Sequence, residues 1–222
     1  MTSAQLRSEI DRLASALFKS KLAIDSNVHV LAQSKGGVIV SWSNDVQMSD
    51  LFENGSTLQE YVALIQRRWF SVLLIDGAIL QISYTLAGDE IQKHRLCYYP
   101  CPIRFELREL EDFTIQQLVG VLNASEFRER LRLEGPLRFD YDIHATKPDH
   151  PASHLTFSRA TCRIPVSAPL SVGHFVRFLF SHFYPEYWKD SEALRTWACS
   201  TGDACLPELE NDRLFIQWKQ KG

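Results

Sequence analysis

WFSVLLIDGAILQISYTLAGDEIQKHRLCYY, residues Trp69–Tyr99, is the stretch that decides the fold. Two β-rich runs, Trp69 to Ile75 and Ile79 to Leu86, flank Asp76-Gly77, a pair that readily supplies the positive φ angles of a tight hairpin turn. Gly88-Asp89 introduces a third strand, Ile91 to Tyr99, after which Pro100 and Pro102 end regular pairing by removing backbone donors. The turns are too short for crossover helices, so the stretch reads as a meander of three antiparallel strands.

A second β-rich region begins after Gly135-Pro136. In Leu137-Arg138-Phe139-Asp140-Tyr141-Asp142-Ile143-His144 the apolar residues share one face, and Arg138, Asp140, Asp142 and His144 share the other. From Ser153 to Ser158 the same rule puts Leu155 and Phe157 inward and His154, Thr156 and Ser158 outward, and Cys162 to Val166 forms a further strand. Upstream, Gly36-Gly37 introduces the strand Val38 to Trp42, and Asn54-Gly55 marks a turn.

Helices fill the remainder. Leu6, Ile10, Leu13 and Leu17 make Ser3 to Ser20 amphipathic, with Ser3 as the expected N-cap. Ser56/Gln59 and Thr57/Glu60 are overlapping capping-box candidates for a helix ending near Arg68. Helices are also expected over Thr114 to Leu122 and over Ser125 to Leu131, the latter capped by Ser125. Ser171 caps a helix bearing Phe175, Phe178, Leu179 and His182, which Tyr184-Pro185 closes. A helix from Ala193 to Cys199 and a terminal strand from Leu214 to Trp218 complete the reading. Strands and helices are grouped rather than alternating, which predicts a single α+β domain over residues 1–222: an antiparallel sheet of meander and hairpins packed against several helices. An N-terminal amphipathic helix (about 3–20) and a helix-rich C-terminal segment (about 171–222) flank it.

Composition bounds the function. The 222 residues are 45% hydrophobic and 23% charged, with 24 Lys+Arg against 27 Asp+Glu for a net charge of −3. A chain of this length buries roughly 70–75% of its unfolded surface, so neither disulfides nor a structural metal is required. No apolar run approaches the ~18 residues of a membrane span. The charge balance argues against a strongly basic nucleic-acid-binding domain while leaving room for a local basic groove. Five cysteines, an odd number, and no recognisable signal peptide point to a reducing, cytoplasmic setting.

The constellation most suggestive of chemistry is Asp140, Asp142, His144 and His154, with Ser158 nearby. If the two strands pair through a connecting loop, His154 returns near His144 and His150 lies above them. Carboxylates and imidazoles so arranged can bind a divalent metal, or serve as acid and base for phosphodiester cleavage. The ordinary alternative is a sheet face that is polar because it meets water. His94, Cys97 and Cys101 make only a weak zinc pattern, and Cys97 and Cys101 read better as small core residues. Gly-x-Ser-x-Gly and the phosphate-binding Gly-x-x-x-x-Gly-Lys-Ser/Thr are both absent, so ATP hydrolysis by that route is not expected. Arg159, Arg163 and Arg177, interleaved with Phe175 and Phe178, are candidate nucleic-acid contacts, as is Arg67-Arg68-Trp69. Trp188, Trp197 and Trp218 suit either a core or a protein interface.

Two blocks of sequence carry a resemblance. Asp76-Gly77, Gln81-Ile82-Ser83-Tyr84, His94-Arg95-Leu96 and Tyr99-Pro100-Cys101-Pro102 form the first. Arg138-Phe139-Asp140-Tyr141-Asp142, Pro151-Ala152-Ser153-His154-Leu155, Cys162-Arg163-Ile164-Pro165, Ala168-Pro169-Leu170 and His182-Phe183-Tyr184-Pro185 form the second. Together they resemble the bacterial family catalogued as domain of unknown function 2290. The resemblance implies a context rather than a reaction, since some such proteins are encoded beside a helicase in a two-component antiviral defence system. It thus implies an accessory or adaptor role to a partner helicase that handles foreign nucleic acid, with ATP hydrolysis left to the partner. The alternative is an effector nuclease that uses the Asp/His site, with or without a divalent metal.

Overall fold

The computed structural model of the protein describes residues 1–42, 57–121, 124–145, 147, 150–159, 161–200, 203–206 and 214–218. The expected Asn54-Gly55 turn and the Ser56 cap lie outside these residues. Strands β1 (Ala23–Ser26), β2 (Val30–Ser34), β3 (Gly37–Ser41), β4 (Val72–Leu74), β5 (Ile79–Ala87), β6 (Glu90–Tyr99), β7 (Leu137–Asp142), β8 (Ser153–Phe157) and β9 (Arg163–Pro165) join one open antiparallel sheet. Its order is β1-β4-β5-β6-β7-β8-β9, and the hairpin of β2 and β3 joins through β3 to β5. β5 is long enough to serve two neighbours on one edge: its start pairs with β4 and its end, Tyr84 to Leu86, pairs with β3. The chain folds as the single α+β domain its sequence predicts.

Alternation sorts the two faces. Leu80, Ile82, Tyr84, Leu96, Leu137, Phe139 and Leu155 point to one face, where α1 (Ser3–Lys19) and α6 (Val172–Phe183) bury Leu6, Ile10, Leu13, Phe175, Val176 and Leu179 against them. On the other face, α2 (Leu58–Gln66) sets Tyr61 and Leu64 over Ile79, Cys97 and Tyr99. That second cover stops at β6, and the same face of β7 carries Arg138, Asp140 and Asp142.

Local chemistry fixes the helix starts. Thr2, not Ser3, caps α1, and Gln5 completes a reciprocal capping box with it. Thr57 and Glu60 do the same for α2. Ser125 lies inside α5 (Ala124–Arg130) rather than before it. Tyr184-Pro185 ends α6 but also starts α7 (Pro185–Asp190), because proline at the first helical position gives up a donor that has no partner there. The expected helix over Ala193 to Cys199 is one turn, α8 (Glu192–Arg195), and the terminal strand reduces to a bridge between Ile216 and Val166. Between β6 and β7 the chain also forms α3 (Glu109–Asp112) and α4 (Ile115–Val121).

His94 of β6 ties the helix layer to the sheet. It is buried between Tyr84 and Tyr141, with ring centroids 5.6 and 5.7 Å away, and its Nε2 accepts the Leu170 N–H at 2.9 Å just before the Ser171 cap of α6. An acceptor nitrogen must be unprotonated, and burial pushes the imidazole down to about 4. The unfolded chain therefore takes up a proton first as pH falls. The stabilisation from neutral His94 is complete above about pH 6.5 and is lost as pH drops from there toward about 4, by roughly 3 kcal/mol at most. Urea unfolding across this window should show falling stability in the wild type and a flatter profile in His94→Gln. A wild-type profile with no slope there contradicts this role.

Candidate functional site

The charged face is built by register. β7 lies between β6 and β8 with Arg95 opposite Asp140 on one side and His154 opposite Asp140 on the other. Period-2 alternation therefore brings the three side chains to one rung. Along the same face, Arg138 is opposite Cys97 and Thr156, and Thr156 is opposite Arg163 of β9. Lys93 stands opposite Asp142 and binds it at 3.0 Å.

Asp140 is the centre of this arrangement. Its carboxylate takes Arg95 Nε at 3.2 Å on one oxygen and Arg138 Nε on the other, with its side chain only 15% exposed. Burial alone would raise its pKa, but the Arg138 and Arg95 charges outweigh burial and hold the carboxyl below the usual carboxylate value. His154 Nε2 lies 3.8 Å from Asp140, beyond hydrogen-bond distance. Its Nδ1 sits 2.9 Å from the Pro151 carbonyl. A carbonyl only accepts, so Nδ1 carries the proton and Nε2 a lone pair. Burial lowers the His154 pKa, and the neighbouring His150 and Arg163 add to the effect, while Asp140 and the Pro151 carbonyl oppose it. His150 packs edge-on against His154 at 4.9 Å, and burial followed by the Arg163 charge lowers its pKa as well.

The four residues expected to act together divide. Asp140 and His154 share a rung, and Asp142 lies on the same face but is engaged by Lys93. His144 does not approach His154: β7 ends at Asp142, and Asp142 Oδ1 accepts the His144 N–H in an exposed turn beyond the strand. The imidazole beside His154 is instead His150. Among the described residues, no three His, Cys, Asp or Glu side chains gather as a metal-binding group. His94 and Cys97 point to opposite faces of β6, which separates the weak zinc pattern, and Cys97 and Cys101 are free and buried.

The expected arginine cluster also separates. Arg163 belongs to the charged face, Arg159 is exposed in the turn after β8, and Arg177 lies on α6 across the sheet. Arg67 covers the Trp69 ring at 5.0 Å, whereas Arg68 pairs with Asp25. Trp188, Trp197 and Trp218 pack against the α1/α6 core. Arg95 and Arg138 were missed as site residues, although alternation through Lys93, Arg95 and Cys97 gives the facing set on β6.

The fold and face define an α+β domain on an open antiparallel sheet, with helices across one face and a cation-rich strip on part of the other. The chain belongs to the family described as uncharacterized conserved protein (DUF2290), whose family model matches residues 22–218. No curated protein and no solved structure matches it.

Asp140→Asn keeps the shape of the side chain but removes the charge that separates two largely buried guanidiniums. It should cost about 3 kcal/mol of unfolding free energy in urea titrations, the scale of a broken buried ion pair. A cost well below about 1 kcal/mol would place Asp140 among ordinary surface pairs instead.

Proposed function

We propose that the protein is a cytoplasmic accessory component of a bacterial antiphage defence system. In this reading it contacts nucleic-acid phosphates through the charged face of its sheet while a partner helicase supplies ATP-driven work. The observation that carries the reading is the local charge. Lys93, Arg95, Arg138, Lys147 and Arg163 lie on or beside this face, where Lys93 pairs with Asp142 and Arg95 and Arg138 pair with Asp140, in a chain whose net charge is −3. Arg163 and Lys147 have no ion-pair partner among the described residues. Phosphate binding depends on such local concentrations of cation more than on the total. The helicase and the defence context come from the family resemblance. All five cysteines are free, as a reducing compartment requires, and no described helix is long and apolar enough to cross a membrane.

The effector-nuclease alternative asks more of the same residues. A general base needs a free lone pair within reach of water, whereas Asp140 is held by two arginines and His154 is 4% exposed. The geometry favours a counter-ion at Asp140 and a packing role at His154.

Binding of a fluorescent single-stranded oligonucleotide, measured against salt concentration, tests the reading. The wild type should bind more weakly as salt rises, and Arg163→Glu should weaken binding about tenfold and reduce the salt slope by about one. No binding at low ionic strength would overturn it. Cleavage of the oligonucleotide that His154→Ala abolishes in a folded protein would favour the nuclease. Copurification with the helicase encoded alongside, surviving moderate salt, tests the partnership.

A further inference from the structure

One rung along from Asp140, two buried donors meet no acceptor among the described residues. Thr156 of β8 is opposite Arg138 of β7 on one side and Arg163 of β9 on the other, so period-2 alternation sets all three side chains on the charged face. Thr156 is 5% exposed, and its Oγ1 is buried with no hydrogen-bond partner among the described residues. Arg163 Nε is buried and unpartnered in the same way. Most hydroxyls buried this deeply are hydrogen-bonded, so an unmatched one beside an unmatched guanidinium nitrogen calls for a functional explanation.

The surrounding charges decide which ligand fits. Arg95 and Arg138 outnumber Asp140 by one, Lys93 answers Asp142, and Arg163 adds a positive charge with no ion-pair partner among the described residues. That charge reaches His150 and His154, whose pKa values burial already lowers, so both imidazoles stand beside it in the neutral form. Two unmatched donors next to surplus positive charge suit an oxyanion and no cation.

We infer that this rung is a site for a terminal phosphate, the phosphorylated end of a nucleic-acid strand, to which the Thr156 hydroxyl and the Arg163 Nε–H donate while Arg138 adds charge. The inference rests on the phosphate-binding reading of this face and narrows it. Neighbouring strands lie about 4.8 Å apart, so one small group spans donors on β8 and β9. A terminal phosphate carries close to two negative charges and three free oxygens. A phosphate within a strand carries one charge and two free oxygens, with sugars on both sides. The short Thr156 side chain lies low between two long arginines, within reach of a group that ends in its oxygens and out of reach of one flanked by sugars. Arg163 is half-exposed, so its flexible stem swings aside to admit the phosphate and folds back over it.

Two single-stranded oligonucleotides of one sequence, one phosphorylated at both ends and one ending in hydroxyls, test it alongside inorganic phosphate. The full chain should bind the phosphorylated strand about tenfold more tightly, the scale of a hydrogen bond to a charged group. Thr156→Val removes the hydroxyl at constant shape and should bring that ratio to about one without lowering the unfolding midpoint, since the hydroxyl has no partner to lose. Thr156→Ser should keep the ratio near that of the wild type. Inorganic phosphate should move the Arg163 Nε–H NMR signal saturably. Equal affinity for the two strands, or a preference that survives Thr156→Val, overturns the terminal-phosphate site and leaves the broader reading of the face standing. Failure of both strands to bind overturns the strand end and that reading together, and saturation by inorganic phosphate would then assign the rung to a small phosphorylated molecule.

Discussion

The register of β7 between β6 and β8 is the constraint on which the rest of the structure depends. Phe139 and Asp140 are neighbours in sequence and opposites in environment: the ring packs edge-on against Phe175 and Phe178 beneath α6, and the carboxylate binds two arginines on the other face. A slip of one residue would put Asp140 under a helix and Phe139 on the charged face, exchanging every side chain on the strand. Both sides therefore enforce one alignment, the apolar side by packing and the polar side by pairing. His94 adds a third restraint from β6 by receiving the Leu170 N–H and so locating the start of α6.

The charged face follows from that register and from where the helices end. Tyr61 and Leu64 of α2 cover Cys97 and Tyr99, but no described helix extends this cover over β7 to β9, so charge replaces apolar surface there. Holding Arg95 and Arg138 on one carboxylate would be costly in a dry core, whereas this face is partly open, with Lys93 and Asp142 beside them reaching solvent. The same lowered Asp140 pKa that makes it a firm counter-ion makes it a poor proton acceptor, so the electrostatics that stabilise the face count against a carboxylate base. The imidazoles follow the same logic: His154 and His150 are pushed toward the neutral form by burial and by neighbouring positive charge.

Much of this was legible from sequence because strands write their faces in period 2. The meander from Trp69 to Tyr99 and the alternation from Leu137 onward carried the sheet, and the Thr57/Glu60 capping box carried α2. The segments that escaped are short or mixed. Ala23–Ser26 has only four residues and two polar side chains, and it becomes a strand because β4 offers it an edge. Within the site, the face of each residue was readable and the register was not. Alternation places His144 and His154 on one face, but only the actual pairing of Asp140 with His154 leaves His144 beyond the strand end and brings in His150. The rung that sets Thr156 between Arg138 and Arg163 was illegible for the same reason, since it depends on the register of three strands.

Asp140 is an ionised counter-ion to Arg95 and Arg138 rather than a catalytic carboxylate. The most direct test of this is an NMR titration of the Asp140 side-chain carboxyl carbon in the folded protein. A pKa below the ordinary 3.8 of aspartate is expected, with Arg138→Met or Arg95→Met moving it upward. A pKa at or above that value in the wild type, unmoved when either arginine is removed, would contradict it.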